Sequence, residues 1–246
     1  MNVYRHAGSG FAALVVLAWA GPVGAASFYT QDLDFDHQDV ELTNPVPGEI
    51  ADLASDYFSD FNVTITLDNA NSSSTLGLFN TNCGPDFPGV SCSGNDSDLA
   101  TGPSFGTDPQ GLALIVNGGG STLNDDRGGG RIIFSFGTPV DVKAVRLLDI
   151  DEAEGTTDAI DFRFEFADSR PALDVFLEDL GTSNVNNLSS TGLTGDNSFY
   201  EYTFDGIAGT NANGDFEGVT QFSVEYQNIS GAIAGLTYDR FDIPVP

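Results

Sequence analysis

Apolar side chains recur at every second position through much of this chain. In Ala159-Ile160-Asp161-Phe162-Arg163-Phe164-Glu165-Phe166 the apolar set Ile160, Phe162, Phe164 and Phe166 falls on one face and the charges on the other. Successive side chains leave a strand on opposite sides, so this period predicts a half-buried strand. The same alternation marks Val63-Ile65-Leu67, Tyr200-Tyr202-Phe204 and Phe222-Val224-Tyr226. Further strands are predicted over 33–35, 76–79, 112–116, 132–136, 140–150, 172–177 and 236–243.

Between these runs lie clusters such as Asn117-Gly118-Gly119-Gly120 and Asn211-Ala212-Asn213-Gly214-Asp215, which supply the backbone conformations that turns require. No stretch keeps a capped helical period for three turns. The pattern predicts an all-β fold, a two-sheet antiparallel β-sandwich of jelly-roll-like form, because each sheet has one apolar face to bury. The 19 Phe and 7 Tyr are ample core material. Residues 69–108 are the least regular part, and a connection that long inside a domain is usually functional or poorly ordered.

The N-terminus changes the picture of where the domain works. Arg5 precedes an apolar run over 11–20, then Gly21-Pro22 and the small-residue pattern Val23-Gly24-Ala25. That reads as a signal peptide over 1–25, cleaved after Ala25 or Ala26. The run is far short of the roughly 20 apolar residues a spanning helix needs. The remaining 246 − 25 = 221 residues, 26–246, are read as one domain without a membrane span. The expected location is the periplasm, the cell surface or the extracellular space.

Charge then narrows the partners. Eight Lys and Arg against 36 Asp and Glu leave a formal net charge of −28, and Lys143 is the sole lysine. Such a surface repels nucleic acid and anionic lipid. It attracts cations, and carboxylates are the hard oxygen donors that Ca²⁺ prefers. The alternative is an acidic coat that only keeps an exported protein soluble. Cys83 and Cys92 are the only two cysteines, and export makes a disulfide between them the expectation.

Three loops are candidates for Ca²⁺. Asn211, Asn213, Asp215 and Glu217 alternate along a Gly-flanked loop, and Asn95, Asp96 and Asp98 lie beside the cysteine loop. Asp149 and Asp151 project from one face at a strand end, with Glu152 and Asp158 close in sequence. None is an EF-hand, since the third would need Gly and Glu where Glu154 and Ile160 stand. Asp34 and Asp239 are a fourth possibility, because the terminal strands of jelly rolls often lie side by side.

No catalytic constellation is supported. Gly102-Pro103-Ser104-Phe105-Gly106 matches the nucleophile pattern of α/β-hydrolases, but strand and helix are missing around it and the one histidine beyond the leader, His37, comes too early. A glycosidase needs only two carboxyls. The sole tryptophan, Trp19, leaves with the leader, so tyrosines would have to supply any sugar-stacking platform.

Three segments occur in an order that resembles a known group. They are Leu78-Phe79-Asn80-Thr81 leading to Gly94-Asn95-Asp96-Ser97-Asp98-Leu99; 112–116 followed by Asp125-Asp126-Arg127-Gly128-Gly129-Gly130; and Ile133-Phe134-Ser135-Phe136 running to Leu147-Leu148-Asp149-Ile150-Asp151-Glu152. Together with Tyr238-Asp239-Arg240-Phe241 they resemble exported bacterial β-sandwich proteins, many of which carry a PEP-CTERM sorting signal. Those proteins continue past a Val-Pro dipeptide into a Pro-Glu-Pro signal, an apolar helix and a basic tail. Beyond Ile243-Pro244-Val245-Pro246 either such a segment follows or this member is released.

The resemblance implies a surface or extracellular-matrix protein. The expected function is therefore an exported, non-catalytic module, Ca²⁺-stabilised, that interacts with polysaccharide or other proteins. Two other classes stay open: a secreted carbohydrate-active enzyme with a carboxylate pair, and a structural coat or filament subunit.

Overall fold

The computed structural model describes residues 27–35, 61–68, 70, 74–95, 97–118, 123–125, 129–150, 160–192, 195–204, 206–207, 216–227 and 229–242. Their strands are β1 Ser27–Asp34, β2 Val63–Asp68, β3 Thr75–Asn80, β4 Leu112–Asn117, β5 Gly130–Leu148, β6 Ile160–Phe166, β7 Leu173–Phe176, β8 Val185–Asn187, β9 Phe199–Thr203, β10 Phe216–Tyr226 and β11 Ala232–Asp242. Hydrogen bonds join all eleven into one antiparallel sheet. The chain is all-β.

The 19-residue β5 organises that sheet. The alternation predicts two strands, 132–136 and 140–150, separated by Gly137-Thr138-Pro139; the backbone instead runs through as one bent strand. On the β10 side, Gln221 pairs with Ser135 and Val219 with Val140, so residues 136–139 stand against Thr220 alone. Extra residues on one strand of a ladder force a bend. Below it β5 pairs with β2 through 131–136, and above it with β9 and β11 through 140–148.

The bend folds the sheet over on itself. Phe162 on β6 is in register, through Val224 of β10, with Ile132 near the start of β5, whereas Tyr202 on β9 pairs with Val145, 13 residues further along β5. In a flat sheet that offset is roughly 40 Å, at about 3.3 Å per residue. Yet the Phe162 ring on β6 lies 5.9 Å from Tyr202 on β9 and 5.4 Å from Phe204 just beyond it. The face-to-face packing expected between two sheets thus takes place between two arms of this one. Phe134, Phe162, Phe164, Phe204 and Phe222 are fully buried there, with Val145, Leu236 and Tyr238.

A second, smaller core lies on the other face of β3, β4 and the adjoining ends of β5, β9 and β11. It is built from Phe79, Ala113, Ile115, Leu148, Phe199, Ala232 and Ala234, covered by Cys83, Leu99, Ala100 and Leu123. Leu114 and Val116 point the opposite way, into the main core. β4 is buried on both faces, and this is why residues 112–116 read as an unbroken apolar run rather than an alternating one.

Candidate functional site

Several turns meet at one end of the folded sheet. Gly130, which begins β5, pairs with Tyr226, and a Cβ on Gly130 would stand 3.4 Å from Val116 Cγ1; Ile115, next to Val116 on β4, pairs with Ala232 of β11, which pairs in turn with Leu148 at the other end of β5, just before Asp149. The bent strand therefore brings both its ends to the same place. Asp149 adopts a positive φ of 57° and its amide donates to the Ser198 carbonyl at 3.0 Å, while the Ile150 amide donates to Ser198 Oγ at 3.2 Å. Asn197 then ties in the 97–100 turn. Its amide donates to the Asp98 carbonyl at 2.8 Å, and its Nδ2 donates to the carbonyls of Ser97 and Ala100 at 2.7 and 3.0 Å.

Asp125 joins from the β4 side through a bridge to Asn117. Gly94, at φ 65°, lets the 93–95 turn approach it: a Cβ there would stand 2.6 Å from the Leu123 carbonyl oxygen. Gly231 does the same beside Asp149, where a Cβ would meet Ile150 Cδ1 at 2.8 Å.

The electrostatics of this end centre on Tyr226. Its side chain belongs to the main core, the residue is 3% exposed, and its hydroxyl has no hydrogen-bond partner. Burial pushes the phenol well above the usual tyrosine range, and the negative charge of Asp125, then Tyr202, then Asp149, adds to that. Asp149 is buried and Asp125 half-buried.

The sequence-predicted residues divide among several places. Asp98 and Asp149 are brought to this one end from two separate candidate loops. Asn95 closes the short Ser93–Asn95 turn beside Leu123 and Asn124. Asp96 and Asp151, and Asn211, Asn213 and Asp215, lie outside the described residues. Glu217 is exposed at the opposite end of β10, where its carbonyl accepts from Arg170 Nη2 at 2.8 Å. Asp34 and Asp239 do sit on paired strands, β1 and β11, but do not face each other. Asp34 stands opposite Gly235 and Asp239 opposite Thr30. Asp125 and Tyr226 went unrecognised, Asp125 inside a Gly-rich turn and Tyr226 as one aromatic of an alternating strand. Among the described residues no three Asp, Glu, His or Cys side chains gather closely enough to hold a metal alone.

The irregular segment is ordered by its own contacts. Cys83 and Cys92 form the expected disulfide, with Cα atoms 5.0 Å apart. The buried hydroxyls of Thr81 and Thr101 meet at 2.9 Å, and the Thr81 hydroxyl donates to the Gly111 carbonyl at 3.0 Å. Ser104 lies in a short turn, Pro103–Phe105, and its hydroxyl donates to Asp86 Oδ1 at 2.6 Å. That is a turn tied to a carboxylate, without the strand and helix that raise a nucleophilic serine.

A second acidic group spans the polar face of β2, β5, β10, β6 and β7. One cross-strand row reads Asp68, Arg131, Glu225, Asp161. Arg131 bonds Glu225, and in the next row Arg163 bonds Asp174 at 2.8 Å. Asp161 is buried between them, and its carboxyl is pushed up to about 6, first by burial and then by the charges of Asp174 and Glu225. Elsewhere Lys143 pairs with Asp239 at 3.1 Å, Arg146 with Asp32 at 2.6 Å and Arg170 with Asp168 at 2.8 Å. No helix among the described residues is long and apolar enough to cross a membrane.

No protein-family model matches this chain, and none of the curated proteins or solved structures is similar to it.

Proposed function

We propose that this is an exported, non-catalytic surface or extracellular-matrix module, stabilised by Ca²⁺, that interacts with polysaccharide or with other surface proteins. One observation carries the reading. Arg131, Lys143, Arg146, Arg163 and Arg170 are each tied to a carboxylate of the chain itself, which leaves the excess carboxylates to define the exterior. Such a surface meets a neutral or anionic polysaccharide best through a bridging divalent cation, whose preferred donors are oxygens of both partners. The resemblance to PEP-CTERM-associated proteins supports the same compartment.

The carbohydrate-active enzyme reading has one specific point in its favour. Asp161, protonated up to about pH 6, stands opposite Glu225, and glycosidases pair a raised acid with an ionised partner. A glycan array separates the two. The module reading expects binding in Ca²⁺ that is lost in EDTA, with the bound glycans intact. Absence of binding in both buffers removes its polysaccharide half, and sugar release that Asp161→Asn abolishes favours the enzyme.

A further inference from the structure

We propose that Asp125 and Asp149 hold a Ca²⁺ ion in the space they share with the Tyr226 hydroxyl, at the end where both termini of β5 meet. The proposal rests on the Ca²⁺-stabilised reading above and gives it an address. Tyr226 is the independent sign that something occupies this space. A buried hydroxyl ordinarily finds a partner, because leaving it without one costs about 1–3 kcal/mol. Here the hydroxyl of a tyrosine 3% exposed has no partner, although the charges of Asp125 and Asp149 both act on it. An unpartnered, buried hydroxyl oxygen in the field of two carboxylates fits a cation.

The surroundings agree with a hard, oxygen-coordinated ion. Asp149 is deep and Asp125 is half-buried, so an ion enters past Asp125 and is held from below by Asp149. Two carboxylates fall short of the 6 to 8 oxygens that Ca²⁺ takes. Backbone carbonyls of the converging turns and water complete the shell, as open Ca²⁺ sites commonly require. The ion also explains why several connections far apart in sequence end at one point. Ser97 to Ala100, Leu123 to Asp125, Asp149 and Asn197 come together there, and a divalent charge offsets their mutual repulsion.

The test uses Tb³⁺, which replaces Ca²⁺ at oxygen sites and emits when a neighbouring phenol is excited, together with calorimetric Ca²⁺ titration of the full chain. The proposal expects saturable, tyrosine-sensitised emission that Ca²⁺ displaces. Tyr226→Phe removes most of that emission while Ca²⁺ still binds. Asp125→Asn and Asp149→Asn weaken Ca²⁺ by about tenfold or more each, since ligand charge sets the affinity of such sites. Asn tolerates positive φ, so Asp149→Asn keeps the backbone of that turn. If Ca²⁺ binds but Tyr226→Phe keeps the emission and both Asn variants keep the affinity, the ion lies elsewhere: this site is wrong and the module reading survives. If calorimetry finds no Ca²⁺ binding to the unaltered chain, or the space holds only water, the site and the Ca²⁺-stabilised reading fall together.

Discussion

Asp161 stands between two other acids, Asp174 on β7 and Glu225 on β10, with Arg131 and Arg163 as partial compensation. Burial and those acids raise its carboxyl from 3.8 to about 6. Because the folded value lies above the unfolded one, Asp161 contributes fully to stability below about pH 3.8, and that contribution is lost as pH rises through about 6. The gap corresponds to about 3 kcal/mol as an upper bound, at about 1.4 kcal/mol per pKa unit. Asp161→Asn removes the titration and keeps the shape. Urea unfolding at pH 4 and pH 8 should give the same stability for variant and parent at the lower pH and a more stable variant, by on the order of 1–3 kcal/mol, at the higher. A difference that does not change with pH would mean that Asp161 is ionised throughout. None of this is visible in the alternation of 159–166, which places Asp161 on the wet face; burial there comes from the long side chains of the neighbouring rows.

Among the elements, the strands with strict alternation were legible, and so was the fully apolar 112–116. What the pattern could not show is which strands share β5 and that β5 itself is one. Gly137-Thr138-Pro139 has the composition of a turn, and only the unequal pairing with β10 turns it into a bend. β8 was missed because Val185-Asn186-Asn187 is three residues long with a single apolar side chain. The segment 69–108 reads as irregular from its Gly, Pro, Asn and Ser, yet within it Cys83, Leu99 and Ala100 cover the second core. The disulfide is expected to hold that cover in place. Closing a loop of sequence separation 9 is worth about 2–3 kcal/mol in the chain-entropy account. The double variant Cys83→Ala, Cys92→Ala should lose about that much, and the loss should show first as faster amide exchange over 81–108. Equal acceleration across β5, β6 and β10 would mean that the segment does not unfold ahead of the main core.

The candidate site was legible only in part, for a reason that belongs to the whole molecule. Asp98 and Asp149 stand out as acids in turns, but their meeting depends on the fold of β5 and on Asn197 between them. Asp125 and Tyr226 acquire meaning only once those turns converge. At this scale the net charge of −28 is the governing quantity. Carboxylates crowded at the sheet ends repel one another, and a divalent ion bridging two of them relieves what monovalent screening leaves. At a hundredfold excess over its dissociation constant such an ion adds about 2.7 kcal/mol. For a domain of this size that is a rise in Tm of roughly 5 to 10 °C. The most direct measurement is thermal unfolding of the full chain in CaCl₂ against NaCl at matched ionic strength. The account predicts that CaCl₂ raises Tm by several degrees beyond NaCl and that Asp149→Asn cuts the excess by half or more; equal Tm values in the two salts would contradict it and leave the acidity as a solvated coat.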